Sequence, residues 1–121
     1  EEIFRCAEKG ARGIAFSENP TPLGLPSIHD PARYWDPVFA AAQETELPIC
    51  THVGSSSKIT TTSPDAPLMV GLILTPFNAM MTCVDWICSG LFQRFPSLKL
   101  CLSEGGVGCN VMPSKKGGLR M

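Results

Sequence analysis

Three short apolar runs, each followed by polar or turn-forming residues, most constrain what this chain can fold into. They occupy residues 13–16, 48–52 and 97–102. Short apolar runs bounded by Gly, Pro and polar residues are typical of strands buried on both faces. The segments between them are long enough for the helical crossovers that parallel neighbouring strands require. The order helix, strand, helix, strand, helix, strand therefore predicts an α/β fold with a parallel sheet.

The helices are predicted from apolar spacing and from start and stop signals. The first covers residues 2–9 and stops at Gly10, and the second begins at Asp30 as N-cap and reaches about residue 46. Within it, residues 35 and 39 are aromatic and four apart, which predicts that both pack inward. The third covers residues 68–95, where Pro76 is expected to kink or split it.

Composition and charge narrow the class of protein. The chain has 121 residues, 44% of them hydrophobic, and a formal net charge of -1. This is the size of one domain, and the apolar residues are numerous enough to exclude that the chain as a whole is a disordered acidic or basic segment. No basic field exists to hold a phosphate backbone, so nucleic acid is not an expected partner.

Cysteine usage and the longest apolar segment bear on the compartment. Six cysteines without a Cys-x-x-Cys pair predict buried free thiols and a cytoplasmic location, and the first residues do not resemble a targeting peptide. Residues 68–84 carry no charge, so a membrane span must be considered. Pro76, Asn78 and Asp85 favour a core helix instead, so no membrane partner is expected.

Candidate chemistry lies where the strands end. Glu18, His52 and Glu104 each stand at or just past a predicted strand. Parallel α/β sheets place their active sites at the carboxyl ends of strands, and carboxylates with neutral imidazole can hold a divalent metal. This position makes the three residues candidates for one site.

Each candidate also has a structural interpretation. His52 can equally be a histidine that bonds to backbone, Glu18 can simply begin a turn before Asn-Pro, and Glu104 can be an exposed acid before a glycine loop at residues 105–108. Glu18 and His29 are the candidate substrate contacts, although a structural role is commoner for a histidine in the loop before a helix.

Four segments carry a family resemblance. They are WDPVFAAA at residues 35–42, LPICTHVG at 47–54, FQRFPSLK at 92–99 and SEGG at 103–106. Together they make residues 1–108 resemble the amidohydrolase-related family of the aminocarboxymuconate-semialdehyde decarboxylase type. The resemblance implies a TIM barrel that holds a divalent metal, zinc or manganese. It further implies hydrolysis or non-oxidative decarboxylation of a small carboxylated or cyclic substrate.

The resemblance also implies roles for individual residues. His52 matches the metal-binding histidine that ends the middle strand. Glu104 stands where decarboxylase members carry a catalytic histidine, so it is expected to act as a general base or to align metal-bound water. The family's early His-x-His or Glu-x-His pair and its late aspartate have no counterpart in this chain.

The expected architecture is therefore a partial TIM (β/α)8 barrel of about three parallel βα units, without the N- and C-terminal strands. Residues 109–121 lose both periodicities and are predicted to form an aberrant or disordered tail. By itself the chain is expected to be inactive. The alternative is a non-catalytic product that forms a homo-oligomer or binds another protein through exposed sheet edges. Apolar strand residues are then expected on both faces of the sheet and prone to exposure: Ile14, Phe16, Ile49, Thr51, Leu100 and Leu102.

Overall fold

The computed structural model describes residues 1–104, in which helices and strands alternate as predicted. The elements are α1 (Glu2–Glu8), β1 (Ile14–Ser17), a 3-10 turn (Thr21–Leu23), α2 (Asp36–Glu44), β2 (Ile49–His52), α3 (Leu68–Cys88), α4 (Leu91–Arg94) and β3 (Leu100–Ser103). The three strands form one parallel sheet in the order β1-β2-β3. The α/β class and the parallel sheet are confirmed. The glycine loop at residues 105–108 and the predicted tail at 109–121 lie outside the described residues.

The register of the strands sorts their side chains onto two different faces. Ile14, Ile49 and Leu100 are aligned across the sheet, and Phe16, Thr51 and Leu102 are aligned two residues further on. Because side chains alternate along a strand, all six lie on one face, which contradicts the expectation that they divide between two. The opposite face carries small and polar residues, and Ala15, His52 and Cys101 on it are exposed. The strands are therefore not buried on both faces in the described part of the chain.

The core lies between the apolar face of the sheet and the helices. Phe39 of α2 and Trp86 of α3 are fully buried, and the Phe16 ring contacts both of them. The Trp35 ring meets Phe16 edge-on at 4.8 Å and its indole N–H donates to the carbonyl of Pro26. The predicted inward packing of Trp35 and Phe39 is thus confirmed. This aromatic packing covers only one face of the sheet.

Helix α2 begins five residues later than the sequence predicted, with Trp35 in place of Asp30 as its N-cap. The Asp30 carboxylate accepts hydrogen bonds from the backbone N–H groups of Ala32 and Tyr34, so it caps a turn and not the helix. Arg33 then takes a left-handed conformation with φ 56°, which an α-helix cannot accommodate. The helix starts only at Asp36, which forms an ion pair with Arg94.

Pro76 does not split the third helix. Helix α3 runs without interruption through Pro76, and the break comes at Ser89 and Gly90, where Gly90 has φ 73°. A glycine with positive φ ends a helix more effectively than an internal proline, because the left-handed residue reverses the backbone direction whereas proline removes one hydrogen bond. Among residues 1–104, α3 is the one helix whose length and composition would allow it to cross a membrane.

The cysteines are less buried than predicted. None of the five within the described residues forms a disulfide: Cys6, Cys50 and Cys83 are half-buried, and Cys88 and Cys101 are exposed. Cys101 is exposed because it projects from the open face of the sheet, which no helix covers in this part of the chain. The sixth, Cys109, lies in the undescribed segment.

Candidate metal and substrate site

The carboxyl ends of the three strands lie side by side at one edge of the sheet. Ser17, His52 and Ser103 are in register at the last position of their strands. The parallel arrangement therefore brings Glu18, His52 and Glu104 to the same edge, as the sequence predicted. The side chains nevertheless separate into two groups.

His52 and Glu104 form the first group, on the open face of the sheet. The imidazole Nε2 lies 3.6 Å from Oε1 of Glu104, and both side chains are exposed. The other ring nitrogen, Nδ1, lies 2.8 Å from the carbonyl oxygen of Val53. Because a carbonyl only accepts, Nδ1 must carry the proton, and neutral imidazole then has its lone pair on Nε2. The ring therefore presents to Glu104 the nitrogen that can bind a metal.

The backbone at Glu104 is unusual for a residue with a side chain. Glu104 has φ 59°, the left-handed region that non-glycine residues seldom occupy. Such conformations are found disproportionately at functional sites, where the surroundings hold them in place. The turn at Glu104 follows directly on β3, so its carboxylate is held beside the end of β2.

Glu18 belongs to the second group and is turned away from His52 into the protein. It is 3% exposed, and its Oε1 accepts hydrogen bonds from the Gly54 N–H at 2.8 Å and the Ser56 hydroxyl at 2.8 Å. The Asn78 side-chain amide of α3 approaches the same oxygen at 3.4 Å. Glu18 thus fixes the loop that follows His52 and attaches it to α3.

The neighbouring residue strengthens this attachment. The Ser17 hydroxyl donates to the carbonyl of Ser55 at 3.2 Å, and the Glu18 backbone N–H donates to the Ser55 hydroxyl at 2.9 Å. The end of β1 therefore holds the loop after β2 through backbone and side-chain groups together. The orientation of His52, two residues before Gly54, depends on this loop.

Of the two residues predicted to contact substrate, Glu18 lines a cleft and His29 contacts a residue of its wall. His29 Nε2 lies 2.6 Å from Oδ1 of Asp85, and Asp85 lines a cleft of about 350 Å³ that Glu18 also lines. The sequence pattern did not identify Asp85 or Asn78 as functional, since each stands alone on an apolar helix. The signal was available in the spacing, because Asn78, Thr82 and Asp85 recur at intervals of four and three on one side of α3.

A cysteine pair flanks His52 on the open face. Cys50 and Cys101 are aligned across β2 and β3. Burial raises the pKa of the Cys50 thiol, and the charge of Cys101 and a hydrogen bond with it raise that pKa further. The thiol of Cys50 therefore gives up its proton less readily than an ordinary thiol.

Within residues 1–104, no three His, Cys, Asp or Glu side chains lie close enough together to hold a metal ion. The spacing of His52 and Glu104 alone matches that of two ligand positions around a metal ion. Two ligand atoms of a tetrahedral zinc, each about 2.1 Å from the ion, lie about 3.4 Å apart. The observed separation of 3.6 Å is close to that value. The separation of these two atoms is therefore compatible with an ion between them.

The parallel sheet with its helices makes this an α/β protein. A histidine and a carboxylate lie at the carboxyl ends of two adjacent strands, where α/β enzymes place their active sites. The sequence model of the amidohydrolase family matches residues 1–116. The chain belongs to that family, whose fold is a TIM barrel and whose members typically use divalent metals. The match extends past residue 108, and the boundary predicted there remains a prediction.

Proposed function

We propose that this chain is part of a metal-dependent amidohydrolase-family enzyme that acts on a small carboxylated or cyclic substrate. The observation that carries the proposal is the pairing of His52 and Glu104 at 3.6 Å, with Nδ1 of His52 committed to the Val53 carbonyl. A histidine that ligates a metal commonly donates its second N–H to such a group, which sets the tautomer and the ring orientation. The subfamily that the sequence resembles, of the aminocarboxymuconate-semialdehyde decarboxylase type, is part of this proposal.

In the proposed site His52 holds a zinc or manganese ion through Nε2. When bound, the ion supplies positive charge that polarises a substrate oxygen and makes coordinated water more acidic. Glu104 lies 3.6 Å from Nε2 of His52, where its carboxylate would act as a general base toward water. A carboxylate base at this point favours hydrolysis over decarboxylation, for which relatives carry histidine.

The rest of the assignment follows from the cleft. In this proposal Glu18 and His29 contact substrate: Glu18 lines the cleft, and His29 lies beside it, in contact with Asp85 of its wall. His52 is the one metal ligand assigned among the described residues, which falls short of the three that a catalytic metal typically takes from protein. The chain alone, as the middle part of a barrel, is therefore proposed to be inactive. The protein is proposed to be cytoplasmic.

Manganese binding tests the metal assignment, and the two histidines of the chain provide a matched pair of variants. We expect Mn²⁺, followed by the loss of its free-ion electron paramagnetic resonance signal, to bind the full chain. His52→Ala should weaken binding at least tenfold, and His29→Ala should leave it unchanged. Mn²⁺ is used as the probe in place of Zn²⁺ because the cysteine thiols would bind zinc independently of His52. Equal affinity in both variants, or no binding by the native chain, would contradict the proposal.

A second candidate function is self-association, and a surface of α3 favours it. Eight apolar side chains of this helix are each more than half exposed: Leu68, Met69, Leu72, Ile73, Phe77, Met80, Met81 and Val84. We call this surface the α3 stripe. It presents on the order of 800 Å², the area that one partner contributes to a standard protein interface.

A second copy of the chain is the occupant we propose for the α3 stripe. The residues along its centre, Met69, Ile73, Phe77, Met80 and Val84, recur at spacings of four, four, three and four. That repeat is the seam with which two helices pack against each other. The stripe is free of charge, so two identical copies meet without repulsion. Light scattering after size exclusion should show a dimer or larger assembly, and a monomer at all concentrations would exclude this candidate.

A further inference from the structure

The buried carboxylate of Glu18 has one oxygen that the fold does not use. Its Oε1 is engaged with the backbone N–H of Gly54, the hydroxyl of Ser56 and the amide of Asn78. Its Oε2 is buried and has no hydrogen-bond partner among the described residues. Leaving a buried carboxylate oxygen without a donor is costly, because the water that would solvate it has been removed. A donor at Oε2 would recover that loss.

Glu18 also lines a cleft. It measures about 350 Å³ and its wall includes Glu18, Ser56, Lys58, Asn78, Thr82 and Asp85. This is the lower end of the size range of small-molecule sites. Glu18 is 3% exposed and Thr82 5%, so the floor of the cleft is built from polar side chains that the core holds in place.

The charged side chains around the cleft favour the binding of a cation. Two carboxylates, Glu18 and Asp85, line it, and Lys58 contributes one ammonium from the exposed loop. Among residues 1–104, no lysine or arginine lies within ion-pair distance of either carboxylate, and Asp85 contacts only the His29 ring in this way. The negative charge on the floor is therefore not neutralised by a lysine or arginine of the described chain.

The available oxygens select an ammonium group over a metal ion. Oε1 of Glu18 already receives three donors, and Oδ1 of Asn78 receives the N–H and the hydroxyl of Thr60 at 3.1 and 2.6 Å. A hard metal ion needs several free oxygen ligands at once, which these committed atoms do not offer. A primary ammonium has three N–H donors and can be held by one free carboxylate oxygen with hydroxyl oxygens beside it.

We propose that this cleft binds a small molecule through a primary ammonium group, which donates a hydrogen bond to Oε2 of Glu18. The hydroxyl of Thr82, which donates to the Asn78 carbonyl at 2.9 Å, keeps lone pairs for a second N–H. Asp85 adds negative charge at the far wall. The inference rests on the assignment of this cleft to substrate binding in the proposed function and names the chemical class of that substrate.

Saturation-transfer NMR on the full chain without metal tests the inference, since the method observes the ligand and tolerates assemblies of any size. Ethylammonium chloride is the probe, and tetramethylammonium chloride, which has the same charge but no N–H, is its control at equal ionic strength. We expect saturable binding of ethylammonium only. Glu18→Gln should weaken it at least tenfold, and Glu44→Gln, which removes the same charge from an exposed position on α2, should not change it.

Two further variants decide the outcome if the Glu18 change disturbs the loop. Asp85→Asn leaves the hydrogen bonds of Glu18 in place and should weaken ethylammonium binding several-fold. Lys58→Met removes the competing cation and should strengthen it. Binding of tetramethylammonium equal to that of ethylammonium, or no saturable binding by the native chain, would overturn the inference. So would binding that appears only in Lys58→Met, because Lys58 itself would then occupy Oε2. The manganese measurement is independent of all these results.

Discussion

At the scale of single residues, one hydrogen bond determines what His52 can do. Donation from Nδ1 to the Val53 carbonyl leaves Nε2 with its lone pair, and Nε2 is the nitrogen that lies 3.6 Å from Glu104. An exposed imidazole without such a partner would exchange tautomers freely. The same residue type has a different role at His29, where the ring is held by Asp85 at the edge of the cleft.

Cys50 provides a test of the electrostatics on the open face. Burial, followed by the charge of Cys101 and a hydrogen bond with it, raises the pKa of the Cys50 thiol above the ordinary value of 9.0. Its alkylation by iodoacetamide in the folded chain should therefore reach half its maximal rate above that pH, because the thiolate is the nucleophile. Cys101→Ala should move the midpoint down but leave the contribution of burial. Mass spectrometry of the modified peptide gives the rate.

The raised pKa of Cys50 also makes the free energy of unfolding depend on pH. Above the ordinary thiol pKa the folded chain retains a proton that the unfolded chain releases, so the free energy of unfolding falls as pH rises through the folded pKa. Below that range the contribution is fully present. An alkylation midpoint for Cys50 at or below the ordinary value would show that the thiol is not held as described.

At the scale of elements, the ends of the helices depend on residues with left-handed backbone. Helix α1 ends with Gly10 at φ 89°, where the Gly10 N–H donates to Ala7 and the Ala11 N–H donates to Cys6. These two bonds satisfy carbonyls that the helix itself leaves open. Arg33 and Gly90 take the same conformation at the start of α2 and after α3. Glycine suits such positions because it has no Cβ to clash.

Gly10→Ala measures the cost of this conformation separately from packing. No atom lies within 4 Å of a Cβ built on Gly10, so the added methyl meets nothing and only the left-handed backbone is penalised. We expect a loss of about 1 kcal/mol in the free energy of unfolding. Urea unfolding followed by circular dichroism checks it. Ala40→Gly, an exposed position within α2, serves as a reference for the ordinary helix cost of glycine. An unchanged midpoint for Gly10→Ala would contradict the expectation.

At the scale of the whole molecule, exposed apolar surface is concentrated on one helix. The open face of the sheet carries Ala15, Cys50, His52 and Cys101, which are small or polar, whereas the apolar strand residues face the helices. We therefore expect the α3 stripe to be the surface through which copies of the chain associate and to which hydrophobic dyes bind. Exposed apolar patches of this size mark interaction surfaces in soluble proteins.

Charge substitutions on the α3 stripe should separate the assembly. Ile73→Glu with Met80→Glu places two carboxylates on the seam, where each would face its own copy and lose solvation. We expect the scattering mass to fall to that of one 13.0 kDa chain and the fluorescence of the dye ANS to decrease. Gln93→Glu, an exposed change on α4, should alter neither. Retention of the assembly in the double variant would place the interface elsewhere, for example at the sheet edges.

The order of elements could be predicted from the sequence because strand and helix signals are local. Apolar runs before His52 and Glu104 marked strand ends, and parallel crossovers then placed those ends at one edge of the sheet. The start of α2 could not be predicted, because Asp30 is an equally good cap for a turn and the left-handed backbone at Arg33 has no sequence signal. The prediction that Pro76 kinks or splits the helix was wrong on the split, because a long helix tolerates the loss of one backbone hydrogen bond.

By itself the sequence determined the class of fold, the amidohydrolase family and the strand-end positions of Glu18, His52 and Glu104, since these depend on short patterns along the chain. Only the tertiary structure decided which of them act together. Glu18 and Asn78 are 60 residues apart, yet the packing of α3 on the sheet brings their side chains into contact within a buried cluster. Such long-range contacts depend on how elements pack in space, and no local pattern encodes the direction in which a carboxylate at a strand end will turn.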